Sequence, residues 1–379
     1  MIKRLVMIPG PTPVVRSIQD QMGRETVAFG DPGFVSDFKG VVEDLKTLWG
    51  TTGEVFVIAG SGTLMMEMAI ANTLKAGDNL LIVSNGFFGD RFNAFVSNKG
   101  INVDVISAEW GKVVPTSEIE AKLKEKNYQA VTVTHVDTST GAVAPVEKIG
   151  EMMKKFPETL FIVDGVAATA GEKEYVDAMN IDILLTGSQK AFGVAPGLGM
   201  LWASEKAMER RASLGQIPEY YADFDRWLPI MKDPGKYFAT PAVNMIWALQ
   251  ESLRIIKEEG LENRYARHIK NAKAMRSAFE AMGFSILADE ANRAVTLSCV
   301  LYPEGLDDAK FRTILAEEGA QVAGGLGAYA GKMFRIGHMG NIDDHDLVSA
   351  VAAIERTLFK MGIDVLGKGV EALQRGLLK

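Results

Sequence analysis

The chain has 379 residues, 47% hydrophobic and 23% charged, a composition that can bury a large core and suits two globular domains. A formal net charge of −7 speaks against the basic stripe that nucleic acid or an anionic membrane requires, and leaves small molecules as the expected partners. One cysteine, Cys299, excludes an internal disulfide framework and suits a reducing, cytoplasmic setting.

The first residues, MIKRLVMIPGP, carry an apolar run too short for a signal-peptide core, and no uninterrupted apolar span is long enough for a bilayer. Pro9, Pro11 and Pro13 forbid a helix or central strand, so residues 1–15 read as an extended arm, with a subunit partner as its natural host. Phe34 to Leu48 has helical apolar spacing and stops at Gly50. Val55 to Ile58 is a strand that runs into Gly60-Ser61-Gly62-Thr63 and then an apolar helix, LMMEMAIANTLKAG. A strand, a glycine turn and a helix start together make an anion site, and a phosphate is the expected guest. A capping turn with no ligand gives the same letters.

Asn79 to Val83 leads into Asn85-Gly86-Phe87-Phe88-Gly89-Asp90-Arg91, where an aromatic must be covered, either by core packing or by a flat ring stacked on it. Strands Val103 to Ile106 and Ala130 to Thr134 flank a charged helix, Ser117 to Lys126. The loop His135-Val136-Asp137-Thr138-Ser139-Thr140-Gly141 follows, with short hydroxyls able to reach a ligand oxygen. A helix from Val146 to Phe156 returns the chain to the strand Leu160 to Asp164.

The next strand, Ile181 to Thr186, ends at Gly187-Ser188-Gln189-Lys190. The gap back to Asp164 fits one short crossover helix and a return strand, which would put both side chains at neighbouring strand ends, where open α/β sheets bind ligands. Burial there favours a neutral, nucleophilic amine. An acid facing a pyridine nitrogen and a lysine facing an aldehyde are the pair that pyridoxal phosphate needs. The alternatives are a solvated loop lysine and an aspartate capping a helix. The alternation of strands and helices implies α/β architecture with a mostly parallel sheet, its polar loops converging on one edge.

Leu198 to Ala203 reads as a strand, Glu205 to Arg211 as a helix, and Gln216 to Tyr237 as irregular. Thr240 and Pro241 suit the N-cap and first position of a helix from Ala242 to Lys257. A boundary near Glu258-Glu259-Gly260 gives a large domain, 16–258, and a smaller α+β domain, 259–379. The latter holds helices Glu262 to Met282, Asp307 to Glu318 and Asp343 to Leu358, with short strands between them. Arg335 lies within an apolar strand, Lys332 to Gly337, and calls for an anion, either a substrate carboxylate or an acidic side chain. Neighbouring His338 has no second histidine at metal-ligand spacing, and no metal is expected. Cys299, within an apolar strand, reads as packing.

As a set, SGT, NGFFGDR, HVDTSTG, VDGVAA, GSQKA, YFATP and FRIGHMG resemble the class V pyridoxal-phosphate aminotransferases of fold type I, especially the alanine:glyoxylate and serine:glyoxylate (serine:pyruvate) group. The motifs keep the family's order from Pro9 to about Leu358. The resemblance implies a seven-stranded type of sheet with helices on both faces, and pyridoxal 5'-phosphate as cofactor. It implies Lys190 as the Schiff-base lysine and general base, Asp164 at the pyridine nitrogen and Val166 against the ring. Phosphate contacts fall to Ser61, Gly62, Thr63 and Gln189, ring stacking to Phe88, and the first loop hydroxyl to Thr138. Tyr237 and Thr240 match residues that reach the phosphate of the other subunit, so a homodimer is implied, and Arg335 matches the substrate-carboxylate arginine. Relatives often carry histidine at Thr63 and tryptophan at Phe88.

Overall fold

The computed structural model describes residues 5–379. Its centre is a seven-stranded sheet in the spatial order 54–59, 198–203, 183–187, 160–164, 130–134, 79–84, 102–107. All neighbouring strands are parallel except 198–203, which runs antiparallel to both of its neighbours. Strands 130–134, 160–164 and 183–187 are buried throughout, as unbroken apolar runs such as Leu160 to Val163 require in a sheet covered on both faces.

The local signals account for several boundaries. Asp31 accepts from the backbone N–H of Gly33 and Phe34 at 2.9 and 3.1 Å, Pro32 opens the helix Pro32–Trp49, and Gly50 at φ 62° closes it. Ser61 caps the helix Gly62–Ala71 through Leu64, and that helix is apolar on nearly every side because it is buried between sheet and neighbours.

The C-terminal part forms a four-stranded sheet in the order 285–286, 297–301, 333–337, 323–324, with its own apolar cluster around Phe279, Phe311, Phe334 and Leu347. Gly260, at φ 79°, joins the helices Val243–Glu259 and Leu261–Ala281. Among the described residues no helix is long and apolar enough to cross a membrane.

Four expectations need correction. The path from Asp164 to Ile183 contains no helix; it is a series of turns, beginning with Ala168 and Thr169 N–H on the Gly165 carbonyl. The stretch Gln216 to Tyr237 does contain a helix, Phe224–Lys232, despite Pro229 inside it. Burial of Phe224, Trp227, Ile230 and Met231, with Phe224 stacked 4.6 Å from Phe56, outweighs the roughly 3 kcal/mol cost of an interior proline. Thr240 is not a cap: the helix begins at Val243 with Ala242 before it and no side-chain bond. An additional helix, Lys368–Leu377, closes the small core, its start held by Glu355, which accepts from Gly367 and Val370 N–H.

Met1 to Arg4 lie outside the described residues, but Leu5–Val6 pair in parallel with Ala320–Gln321 of the same chain, and Thr12 donates its N–H to the Gln189 carbonyl at 3.0 Å. The arm therefore packs along the chain's own cleft.

Candidate active site

The Lys190 loop is tied together by its own main chain and Ser188. Strands 183–187 and 198–203 are antiparallel, and the turn between them is tied across by Ser188, whose hydroxyl donates to Ala195 O at 2.7 Å and whose carbonyl accepts from Val194 N–H at 3.1 Å. Gly193, at φ 65°, donates back to the Lys190 carbonyl at 2.9 Å. The lysine thus leaves a closed loop at a strand end, and its amine donates to the Pro9 carbonyl. Burial, and secondarily the charge of Arg335, lower its pKa to about 8, with Asp164 pulling the other way.

Asp164 ends the adjoining strand and is 3% exposed. One carboxylate oxygen accepts from Val166 N–H at 3.0 Å and the other from the Thr134 hydroxyl at 3.3 Å. Burial, reinforced by Asp137, raises its pKa to about 6. Behind it, Glu174 holds the following loop in place, accepting from the Thr169 hydroxyl at 2.6 Å and meeting His135 Nδ1 at 2.7 Å.

Lys190 and Asp164 line one cleft together with Gln189, Val166 and Thr138. Ser61, Gly62, Thr63 and Phe88 line the same cleft. Of the hydroxyls in the 135–141 loop, only that of Thr138 is left for the cleft: Ser139 Oγ accepts from Phe87 N–H at 3.0 Å and Thr140 donates to Asn85 O at 3.0 Å. Asp137 accepts from Phe88 and Gly89 N–H at 2.9 and 3.1 Å, so this loop fixes the start of the helix that presents Phe88.

Arg335 reaches the Thr138 carbonyl at 3.2 Å and the Gly324 carbonyl at 2.8 Å. Among the described residues no carboxylate lies within salt-bridge distance of it, so the ion-pair alternative is not realised. Tyr237 and Thr240 lie outside this cleft, both exposed, with Tyr237 against Phe29 at 5.1 Å.

Sequence reasoning did not single out Met66, Arg91, Val136 or Ala167, all of which line the cleft. For Arg91 a signal existed: it follows Phe88 by one helical turn, and its guanidinium sits 4.7 Å from the Phe88 ring and 3.3 Å from the Thr63 hydroxyl. Arg264 was also passed over. Fully buried, it donates to Ala170 O at 2.9 Å and to Ala191 O at 2.5 Å, joining the Asp164 loop to the Lys190 loop, with Glu259 as its counter-charge at 2.8 Å.

His338 is buried and pushed down to about 3 by burial, so it is neutral, with Nε2 3.0 Å from the Ser298 hydroxyl. Cys299 is buried, its thiol 3.7 Å from the Thr138 carbonyl and pushed far up by burial, hence not a thiolate. Cys299→Ala is expected to leave turnover within roughly twofold and to cost about 1 kcal/mol of stability. Steady-state rates and urea unfolding check this, and complete loss of activity would point instead to sulfur chemistry.

The class-V aminotransferase family model matches residues 35–340. An aminotransferase of Methanocaldococcus jannaschii is 39% identical over 383 residues, spanning 100% of this chain and 98% of that one. The L-aspartate–glyoxylate aminotransferase of Paracoccus denitrificans is 33% identical, with 97% and 95% of the two chains covered. Among solved structures, the ureidoglycine–glyoxylate aminotransferase of Bacillus subtilis superposes with a TM-score of 0.94 at 29% identity over 100% of this chain and 99% of its own. The alanine–glyoxylate aminotransferase of Nostoc sp. gives 0.90 at 32% identity, with 94% and 96% covered. A family model spanning most of the sequence, and relatives this similar from end to end, establish that the chain belongs to the class-V aminotransferases, a pyridoxal-phosphate-dependent family.

Proposed function

We propose that this aminotransferase moves an amino group from a small amino acid, alanine or serine, to a small 2-oxo acid, glyoxylate or pyruvate, in a ping-pong reaction run by a homodimer. The observation that carries the reading is the pairing, in one cleft, of a desolvated amine and a desolvated carboxyl at the ends of adjacent strands, Lys190 and Asp164. Relatives named for serine–glyoxylate transfer, at 30 to 33% identity, support the choice of substrates.

The residues present fit pyridoxal phosphate. The first N–H groups of the helix Gly62–Ala71 have no partner within the helix, and with the Ser61 and Thr63 hydroxyls and the Gln189 amide they would hold the phosphate. A Cβ on Gly62 would come within 2.6 Å of Val166 Cγ2, so the lack of a side chain there leaves Val166 free to face a ring. Phe88 would cover its other face. Tyr237 and Thr240, both exposed, would reach the phosphate of a neighbouring subunit.

When bound, the cofactor supplies an aldehyde and a ring that accepts the electrons left behind when the α-proton departs. Asp164, as carboxylate, holds the proton on the ring nitrogen. Lys190 is the amine that would hold the aldehyde, and when free it would serve as the base that moves the α-proton. Arg335 orients the substrate by its carboxylate.

A second reading, an acidic donor such as aspartate, is favoured by Arg91, whose guanidinium lines the cleft with no carboxylate in salt-bridge contact among the described residues. A single-turnover screen of amino acids against holoenzyme, followed by oxo acids against the amine form, separates the two. Alanine or serine should discharge the cofactor fastest. Aspartate as the fastest donor would replace the first reading with the second, and an absorbance band unmoved by any amino acid would end both.

Arg335→Lys should lower kcat/KM by about 10- to 100-fold, chiefly through KM, because an ammonium cannot reproduce the two-pronged grip on a carboxylate. Steady-state kinetics with the best donor checks it.

A further inference from the structure

The N-terminal arm is fastened at both ends to the working parts of the site. Met7 donates its N–H to Gln321 O at 2.8 Å and accepts from Gly337 N–H at 2.8 Å, two residues beyond Arg335 on the same strand. At the other end Thr12 donates its N–H to Gln189 O at 3.0 Å and its hydroxyl to Lys190 O at 2.8 Å. Between these anchors the Pro9 carbonyl accepts from the Lys190 amine, and Gly10 lies close beside the lysine side chain. A Cβ on Gly10 would sit 2.4 Å from Lys190 Cδ and 2.6 Å from Nζ, at a φ of +115°. The small sheet, the arm and the lysine are therefore one continuous chain of contacts.

A lysine that alternates between bonding an aldehyde and acting as a free base needs somewhere to rest in its free state. In this cleft the amine is withdrawn from water, so an acceptor that cannot itself titrate is the simplest way to keep it oriented without neutralising it. We propose that the Pro9 carbonyl is that acceptor, and that the arm transmits carboxylate binding at the Arg335 strand to the position of the free Lys190 amine. The inference rests on the reading of Lys190 as the working amine, and makes Thr12, Pro9 and Gly10 positioning residues.

The test uses the full chain with Thr12→Val, Thr12→Ser and Gly10→Ala, and Lys190→Ala as the control. In cofactor-free protein, acylation of Lys190 by an amine-reactive probe is followed against pH by peptide mass. Its half-point should lie near 8 in the parent chain and lower in Thr12→Val and Gly10→Ala, since losing an acceptor disfavours the ammonium; Thr12→Ser should restore it. In holoenzyme, the single-turnover rate with amino acid should fall on the order of tenfold to a hundredfold in both variants while substrate affinity holds, as expected for one charge-assisted hydrogen bond used only in the chemical step. Parent-like titration and rates in both variants would overturn the proposal, as would losses that serine does not rescue. An active Lys190→Ala would instead defeat the reading of the site itself, whatever the arm variants do.

Discussion

Lys190→Ala is expected to lower transamination by on the order of 10⁴-fold or more, while leaving the fold intact. Two roles end together in this variant: the covalent link to the aldehyde and the base that moves the α-proton. The loop around the lysine does not depend on its side chain, because the ties run through Ser188, Val194, Ala195 and Gly193 and through the main-chain carbonyl of residue 190. Circular dichroism and thermal unfolding should therefore match the parent. The absorbance of cofactor bound through a lysine, at about 410–430 nm, should be missing even when the phosphate contacts still retain cofactor. A variant that keeps a tenth of parental turnover would refute the assignment.

Asp164→Asn should divide activity and stability in opposite directions. Activity falls on the order of 10³-fold, about 4 kcal/mol in the barrier, because a neutral amide cannot hold the ring nitrogen's proton. Stability of the cofactor-free protein should rise. The carboxyl titrates at 3.8 when unfolded and at about 6 when folded, so folding penalises its charged form, by roughly 3 kcal/mol once it is fully ionised. The penalty is complete above about pH 6 and gone below 3.8, so the advantage of the variant should be largest near pH 7 and shrink as the pH falls through this window. Urea unfolding of both cofactor-free proteins at pH 7 and pH 4.5 reads it directly; an advantage independent of pH would show that the carboxyl is not desolvated as described.

Much of this arrangement is written locally. Apolar runs such as Leu160 to Val163 have few alternatives to a buried strand, and Asp31, Pro32 and Gly50 bracket a helix by short-range chemistry. Nine of the expected site residues, from Ser61 to Lys190, line one cleft because each sits at or just past a strand end of the same sheet. What escaped sequence reasoning depends on distant partners. The turns from Gly165 to Asp182 replace a helix where Thr169 donates to Glu174 within the segment and His135 meets Glu174 from outside it. The helix around Pro229 exists because Phe56 receives Phe224. The arm's destination is set by a short strand, Ala320–Gln321, more than three hundred residues along the chain, beyond the reach of any local pattern.

Arg264 carries a consequence of its own. Because one guanidinium grips Ala170 and Ala191, the acid side and the amine side of the cleft hang from a common pivot, and their separation is set from a helix that touches neither reacting group. Damage to that pivot would shift both halves at once, so a lesion at residue 264 should mimic a fault in the chemistry while every reacting atom is still in the sequence.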